Sequence, residues 1–376
     1  MSLLPVFYKR LLIAIMRWVL EYLALFLSSA ALAGLLTWFV RSLALRWKIL
    51  DYPTSERKIH HQPVPLLGGW SLYLTMSLMT TVLWFSGRLS DSHISPALLI
   101  GFFVAGAVLM LGGFLDDRRP LQWYQSLFFP LIAAAIVIAA GLQVAFVTNP
   151  FGGLIYLNQW PAGRSDFFGH SRLWLPLADS LAFLWLLATM YTTKLLDGLD
   201  GLASSVSGIA AIVIFGVSLF WDTPQSITSY LALILAGSLV GFLIWNWYPA
   251  KIFLGESGST FLGFSLGVLS ILTGGKIATA LLVMGLPMLD VVWSIIRRLR
   301  SGHNPMSGDD GHIHFRFLQL GWSQRQVVLF MSFLALLFGG ISFFTSSIGK
   351  IIALGFLVLA MTCLLFFITP KKRHEK

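Results

Sequence analysis

Residues 192 to 202 read TTKLLDGLDGL and join two apolar runs of the chain, 177–196 and 203–221. Each run is close to the ~20 residues that a helix needs to cross a bilayer. The junction carries one lysine, two aspartates and two glycines, namely Lys194, Asp197, Asp200, Gly198 and Gly201. Because charge at membrane depth is costly and usually functional, this junction predicts a membrane protein with a polar site at its helix ends.

The whole chain has the composition of a membrane protein. Of its 376 residues, 57% are hydrophobic and 11% are charged, whereas soluble domains carry about 25% charged residues. We predict an all-α, polytopic membrane protein with about eleven transmembrane helices and cytoplasmic catalytic loops. The apolar runs that predict spans are 19–42, 67–86, 95–115, 126–147, 177–196, 203–221, 227–245, 258–274, 277–296, 326–345 and 350–369.

The distribution of charge predicts the orientation of these helices. One side receives 18 of the 26 Lys and Arg residues, so the positive-inside rule makes that side cytoplasmic. The same side also receives 11 of the 16 Asp and Glu residues, which indicates a polar site for metal and phosphate. The net charge of +10 does not indicate nucleic-acid binding, because no basic tract alternates with stacking aromatic residues.

The sequence predicts one transmembrane catalytic domain, residues 19–370, followed by a basic cytoplasmic tail, residues 371–376. Residues 1–18 are basic on what would be the outer side, so they are expected to form an amphipathic surface helix or an extra membrane segment. The outer segment 148–174 is rich in Gly, Asn, Pro and aromatic residues and predicts an ordered surface loop.

A pair of adjacent aspartates, Asp116 and Asp117, ends the third run in the stretch GFLDDRRPL. Two neighbouring carboxylates repel each other unless a cation or a shared proton relieves them, which favours a metal or base site. The alternative is a solvated helix end neutralised by Arg118 and Arg119.

In TTKLLDGLDGL the two aspartates, Asp197 and Asp200, are three residues apart and would share one face of a helix. The interleaved glycines permit close approach of a ligand to the backbone. The alternative is that these carboxylates cap the next helix.

A third stretch, NWYPAKIFLGESGSTFLG (246–263), carries Asn246, Lys251 and Glu256 before a Gly-Ser-Gly turn. A helix start among glycines exposes backbone N–H groups and suits a phosphate, although the spacing is not that of a nucleotide P-loop. A helix cap that includes Glu256 is the alternative.

Two histidine-containing stretches complete the set. In DDGHIHFRF (309–317), His312 and His314 have poor spacing for a zinc site on a helix but suit phosphate binding beside Arg316. In DYPTSERKIHHQPVPLLGG (51–69), the basic residues could be a positive-inside anchor, while the prolines and glycines favour a shaped anion site.

Taken in their order along the chain, these motifs resemble those of the polyprenyl-phosphate N-acetylhexosamine-1-phosphate transferase family over residues 51–321. Three positions depart from the family pattern: Glu256 stands where Asp is usual, Phe315 where the last His is usual, and Lys194 where Asn is frequent. The matching elements are D-x-P-x-x-R-K-x-H-x-x-P-x-P-x-x-G-G at 51–69, the Asp pair at 116–117, DGLDGL at 197–202, N-x-x-P-A-x-x-F-x-G over 246–255, P-x-x-D at 287–290 and D-x-x-H-x-H over 309–314.

The resemblance implies transfer of N-acetylhexosamine 1-phosphate, with GlcNAc 1-phosphate favoured, from a UDP-sugar to polyprenyl (undecaprenyl) phosphate with release of UMP. This is the first membrane step of a cell-envelope polysaccharide such as the lipopolysaccharide O-antigen. It also implies a bacterial inner membrane protein with a cytoplasmic active site, Mg²⁺ as cofactor with Mn²⁺ as an alternative, and a homodimer as one open assembly.

The resemblance assigns catalysis to Asp116, Asp117, Asp197 and Asp200, and Mg²⁺ binding to Glu256 and Asp197. Direct attack by the lipid phosphate and a two-step route through an aspartyl phosphate both fit these residues. Substrate binding is expected at Lys58, His60, Lys194, Asn246, His312, His314 and Arg316.

Other functions stay open as alternatives. A transporter or flippase for lipid-linked sugars would place charges near mid-helix, whereas here they gather at helix ends. A membrane prenyltransferase would carry spaced D-x-x-x-D motifs, which neither aspartate pair matches. An inactive homologue that only binds lipid is suggested by Glu256 and Lys194.

Overall fold

The computed structural model describes residues 4–53, 60, 62–89, 94–149, 153–167, 170–221, 226–273, 277–302, 311–345 and 347–368. Helices dominate these residues, which confirms the predicted helical class. The helices are α1 (Leu4–Arg46), α2 (Gly68–Phe85), α3 (Pro96–Arg118), α4 (Trp123–Ala139), α5 (Pro176–Leu196), α6 (Leu202–Trp221), α7 (Ile227–Asn246), α8 (Gly255–Leu272), α9 (Ile277–Val283), α10 (Gly285–Arg300), α11 (Ile313–Gln319), α12 (Gln324–Phe344) and α13 (Ser347–Ile368).

Within the described part of the chain, six short strands form three antiparallel two-stranded ladders. The strands are β1 (Leu50–Asp51), β2 (Val64–Pro65), β3 (Phe146–Thr148), β4 (Leu154–Tyr156), β5 (Gly163–Phe167) and β6 (His170–Trp174). The pairs β3–β4 and β5–β6 lie between α4 and α5, mostly in the segment predicted to be an ordered surface loop. The strand β1 pairs with β2 beside the site described below.

Helices occupy every predicted apolar run, and several of them are long and apolar enough to cross a membrane. Five single helices among the described residues meet that condition, and α9 with α10 makes a sixth if the bent pair is one span. The protein is therefore a multi-pass membrane protein, whereas the number of about eleven spans stays a prediction. The five are Met16–Arg46, Pro96–Arg118, Leu202–Leu219, Ile227–Asn246 and Gln324–Phe344.

Two predicted spans were wrong in their extent. The run 126–147 ends its helix at Ala139, because the chain turns at Gly141 with φ of +116° and then enters β3. The run 277–296 is broken between α9 and α10, whose axes differ by 79°. Pro287 explains this break, since it lacks an N–H and its ring would clash with the carbonyl of Val283 in a continuous helix.

The predicted boundary at residue 18 does not coincide with a break in the chain's first helix. Helix α1 begins at Leu4 and continues to Arg46, so residues 4–18 run directly into the first span. α1 packs along α7, and α7 packs on α6, which forms one part of the helix bundle.

Glycines bring the start of α8 into direct contact with α2 and α3. A Cβ added to Gly69 would lie 2.1 Å from the Cα of Gly258, and one added to Gly113 would lie 2.2 Å from the Cα of Ser257. Such backbone contact between helices requires small residues at the crossing. These contacts seat the first turn of α8 against the end of α3, where Asp117 lies.

Candidate active site

An open cavity of about 850 Å³ lies at the face of the bundle where α3, α5 and α7 end and where α6 and α8 begin. A cavity of this size fits a nucleotide-sized ligand. Eight of the predicted site residues line this cavity: His60, Asp116, Asp117, Lys194, Asp197, Asp200, Asn246 and Glu256.

The two adjacent aspartates have different environments. Asp117 is half-buried, its Oδ1 accepts a hydrogen bond from the backbone N–H of Glu256 at 2.9 Å, and its Oδ2 is buried with no hydrogen-bond partner among the described residues. Asp116 is half-buried, and its Oδ1 accepts from the N–H of Leu121 at 2.8 Å, which stabilises the turn after α3. Asp117 therefore has the oxygen that is free for chemistry.

The hydrogen bond from the N–H of Glu256 to Asp117 bears on the prediction that a phosphate binds at the start of α8. The helix begins at Gly255, so Glu256 lies inside the first turn instead of before it. Gly255 has φ of +74°, and a Cβ there would lie 2.5 Å from Asp117 Oδ2. The carboxylate of Asp117 thus takes the place at this helix start where an anion is favoured.

Lys194 forms an ion pair across the cavity. Its Nζ lies 2.8 Å from Glu256 Oε2 and donates a hydrogen bond to Ser126 Oγ at 3.0 Å. Lys194 belongs to α5, Ser126 to α4 and Glu256 to α8. Two of the three residues that depart from the family pattern are therefore in direct contact with each other.

The turn that follows α5 holds the second aspartate pair. Asp197 caps the end of α5, and Asp200 Oδ2 accepts from the N–H of Ala250 at 2.9 Å. Burial, reinforced by the charges of Glu256 and Asp200, raises the pKa of Asp197 to about 8. Burial also raises the pKa of Asp200. Burial in this part of the cavity therefore favours the protonated form of both carboxyl groups.

Asn246 has a structural position at the end of α7. Its Oδ1 accepts from Ser204 Oγ at 2.9 Å, and its Nδ2 donates to the carbonyl of Ile252 at 3.0 Å. Its amide therefore joins α6 to the chain segment before α8. The predicted contact between Asn246 and a substrate stays a prediction.

His312, His314 and Arg316 lie behind the cavity instead of lining it. The rings of His312 and His314 are parallel, with centroids 5.7 Å apart. A Cβ added to Gly198 would lie 2.5 Å from His314 Nε2, so this imidazole packs directly on the Asp197–Asp200 turn. Arg316 donates from Nε to the carbonyl of Gly311 at 2.9 Å.

Asp290 fixes this histidine segment. Its Oδ2 lies 2.9 Å from His312 Nδ1, and its Oδ1 accepts from the N–H of Ile313 at 3.1 Å. The carboxylate favours the tautomer of His312 that carries its proton on Nδ1. Sequence reasoning noticed the P-x-x-D element but gave Asp290 no role.

His314 provides a test of the buried segment through pH. Its ring nitrogens have no hydrogen-bond partners among the described residues, and burial lowers its pKa to about 4. Since the unfolded pKa is about 6.5, stability from the neutral ring is complete above pH 6.5 and is lost as pH falls toward 4. In the wild-type protein this protonation should lower the free energy of unfolding by about 1–3 kcal/mol, and His314→Gln should not show this decrease.

The measurement is the melting temperature in detergent at pH 7.5 and pH 5. Wild-type protein should lose more of its melting temperature between these two values than His314→Gln does. Both proteins retain Asp197 and Asp200, whose titration therefore cancels in the comparison. An equal loss in the two proteins would contradict the burial of a neutral His314.

The remaining predicted contacts lie at the edge of the cavity. His60 Nε2 lies 3.5 Å from Asp51 Oδ2, and both residues line the cavity beside the β1–β2 pair. Lys58 lies outside the described residues. Ser126, which holds Lys194, was missed by sequence reasoning because a serine in an apolar run carries no distinctive signal.

The carboxylates provide a donor set that suits a hard divalent cation. Among the described residues, no three His, Cys, Asp or Glu side chains converge closely enough to hold an ion by themselves. Mg²⁺, however, is usually bound through one or two carboxylates together with water and substrate phosphates. Asp197 and Glu256, which line the same cavity as the buried, unpartnered Oδ2 of Asp117, fit such a partial site.

The fold and the site together define a multi-pass membrane protein with an acidic cavity at one face of its helix bundle. Residues 99–274 match the sequence model of glycosyl transferase family 4. The chain is 33% identical to a decaprenyl-phosphate N-acetylglucosaminephosphotransferase of Mycolicibacterium smegmatis, in an alignment of 337 positions that covers 81% of this chain and 77% of the relative.

Two further relatives have similar coverage. A probable undecaprenyl-phosphate N-acetylglucosaminyl 1-phosphate transferase of Bacillus subtilis is 28% identical, over 83% of this chain and 82% of the relative. The undecaprenyl-phosphate alpha-N-acetylglucosaminyl 1-phosphate transferase of Escherichia coli K12 is 29% identical, over 82% of this chain and 79% of the relative. The chain belongs to glycosyl transferase family 4, in its polyprenyl-phosphate sugar-1-phosphate transferase branch, which confirms the predicted family.

Proposed function

We propose that the protein transfers GlcNAc 1-phosphate from UDP-GlcNAc to a polyprenyl phosphate, forming polyprenyl-diphosphate-GlcNAc and UMP. The observation that carries this function is the convergence of Asp117, Lys194, Asp197 and Glu256 on one cavity at the helix ends of a membrane protein. A site at this depth gives a water-soluble nucleotide sugar and a lipid phosphate access to the same carboxylates. The names of the relatives supply the sugar and the lipid class.

In the proposed reaction, an oxygen of the lipid phosphate attacks the β-phosphorus of the UDP-sugar. The new P–O bond forms while the bond from the β-phosphorus to the bridging oxygen breaks, and UMP leaves with that electron pair. UMP is stable as an anion, so the reaction needs no general acid. Asp117, through its free Oδ2, is the group that takes the proton from the lipid phosphate or orients that phosphate for attack.

The negative charge of both substrates must be balanced inside the cavity. Lys194 contributes one positive charge, and Lys48 and Arg118 line the same cavity. Asp197 and Glu256, together with the substrate diphosphate, would hold a Mg²⁺ ion, which when bound would neutralise the diphosphate and stabilise the leaving group. Burial beside Glu256 and Asp200 raises the pKa of Asp197, and a divalent cation bound among these carboxylates would lower it again.

We place the cavity on the cytoplasmic side of a bacterial inner membrane. The positive-inside rule supports this orientation, since the loops at the cavity face carry most of the Lys and Arg residues. A cytoplasmic cavity also faces the compartment in which UDP-sugars are made. The relatives compared above come from bacteria.

The direct test uses the purified protein in detergent with UDP-GlcNAc, polyprenyl phosphate and about 10 mM MgCl₂, which is chosen to saturate a weak carboxylate site. We expect equal amounts of UMP and of a butanol-extractable GlcNAc lipid, and loss of both after chelation by EDTA. Transport has no meaning without a sealed bilayer, so turnover in detergent also excludes a flippase. The proposal fails if no UDP-N-acetylhexosamine gives a labelled lipid.

A further inference from the structure

The ion pair between Lys194 and Glu256 places a fixed positive charge on a carboxylate of the proposed metal site. Lys194 Nζ approaches Glu256 Oε2 to 2.8 Å and is held from its other side by Ser126 Oγ at 3.0 Å. The two side chains are 23% and 37% exposed, so water reaches part of each side chain, whereas Glu256 Oε2 itself is shielded from solvent. The pair is therefore partly screened and exchangeable, unlike a fully buried one.

The neighbouring charges explain why this pair forms. Glu256 shares the cavity with Asp116, Asp117 and Asp197, and its backbone N–H already binds Asp117 Oδ1. Carboxylates this close to one another raise each other's energy unless a cation lies among them. Lys194 supplies a positive charge next to Glu256, and its hydrogen bond to Ser126 Oγ keeps the ammonium group in that position.

The geometry points to a competition between Lys194 and a divalent cation for the carboxylate of Glu256. In the substrate-free site Lys194 is paired with this carboxylate, so the strength of that ion pair sets the affinity of the site for the cation. Lys194 is thus a positioning residue that tunes metal binding. This inference rests on the proposed function, because it takes Glu256 as a metal ligand of that site.

A consequence for catalysis follows from charge balance. When a diphosphate enters the cavity, its oxygens are a second anion that the Lys194 ammonium can pair with. When the Lys194 ammonium pairs with the substrate instead of Glu256, the carboxylate of Glu256 becomes available to the divalent cation. Metal and donor substrate would then bind more tightly together than either does alone, which is positive coupling between two ligands.

The test measures Mn²⁺ binding to the full-length protein in detergent, without substrate, by electron paramagnetic resonance of the free ion. Lys194→Met should bind Mn²⁺ roughly two- to fivefold more tightly than wild type, the range expected for loss of a partly exposed competing ion pair. The double variant Lys194→Met/Glu256→Gln should lose this gain. Adding UDP-GlcNAc should tighten Mn²⁺ binding in wild type but less in Lys194→Met.

Lys48→Met is the matched control, because it removes the same charge from the lining of the same cavity. It should change Mn²⁺ affinity less than about twofold if the contact with Glu256 matters and not the net charge. If Lys194→Met does not fold, Ser126→Ala tests the same point, since it keeps the charge and removes the hydrogen bond that holds Lys194. Ser126→Ala should tighten Mn²⁺ binding by about twofold.

Three results would overturn the inference: unchanged or weaker Mn²⁺ binding in Lys194→Met, an equal gain in Lys48→Met, or a gain that persists in the double variant. With Ser126→Ala alone, unchanged affinity would overturn it. Wild-type turnover of UDP-GlcNAc is measured on the same preparation. Absence of turnover would refute the proposed function, whereas the Mn²⁺ affinities would still decide whether Lys194 competes for Glu256.

Discussion

Asp117→Asn should lower the rate of GlcNAc 1-phosphate transfer by at least about 100-fold while the protein still folds and inserts. An Asn side chain keeps the oxygen that accepts the hydrogen bond from the N–H of Glu256, so the start of α8 remains in place. It loses the charge and the basicity of Oδ2, which has no other partner among the residues described. Removal of a general base typically costs 10²- to 10⁴-fold.

Asp116→Asn is the matched control for this change, since the two carboxylates are adjacent in the chain and line the same cavity. Asp116 already uses one oxygen to accept from the N–H of Leu121, and Asn retains that acceptor. We expect a loss below about tenfold for Asp116→Asn. The measurement is the initial rate of UMP release, with melting temperatures to verify folding. Equal losses in both variants would contradict the assignment of the base to Asp117.

The contrast between these two aspartates shows what sequence reasoning could and could not supply. The motif DD placed a pair of carboxylates at a helix end, and that much follows from charge and hydropathy alone. Their separate roles depend on hydrogen bonds to Leu121 and Glu256, which lie five and 139 residues away along the chain. The second of these is a tertiary contact, which leaves no local pattern in the sequence.

The same limit applies to the histidine segment and to the broken span. The spacing of His312 and His314 argued against zinc, but nothing local showed that both rings would pack behind the Asp197–Asp200 turn. The run 277–296 has the hydropathy of a span, and Pro287 was visible in it. Hydropathy averaged over about 20 residues hides such a break, since one proline changes the mean very little.

The ion pair of Lys194 with Glu256 is the clearest case of information that became interpretable only with coordinates. In the sequence they were two separate departures from a family pattern, 62 positions apart. Each suggested on its own a weakened or inactive site. Their contact at 2.8 Å shows instead a charge and its countercharge within one site.

Gly69→Ala should destabilise the protein strongly, because the new methyl group has no space at the crossing of α2 and α8. The added Cβ would lie 2.1 Å from the Cα and 2.3 Å from the N of Gly258, and neither backbone atom can rotate away as a side chain can. Overpacking in a tight interior costs about 1–3 kcal/mol or more. We expect the melting temperature in detergent to fall by at least about 5 °C.

Activity should fall together with stability in Gly69→Ala, since the crossing also positions the first turn of α8. That turn contains Glu256, and the N–H of Gly69 donates to the carbonyl of Leu254 at 2.9 Å just before it. Gly340→Ala in α12 is the control, because a Cβ there meets nothing within 4 Å. Alanine is favoured over glycine inside a helix, so Gly340→Ala should leave the melting temperature unchanged or raise it slightly. A similar fall in both variants would show that the contact of Gly69 with Gly258 is not what holds these helices together.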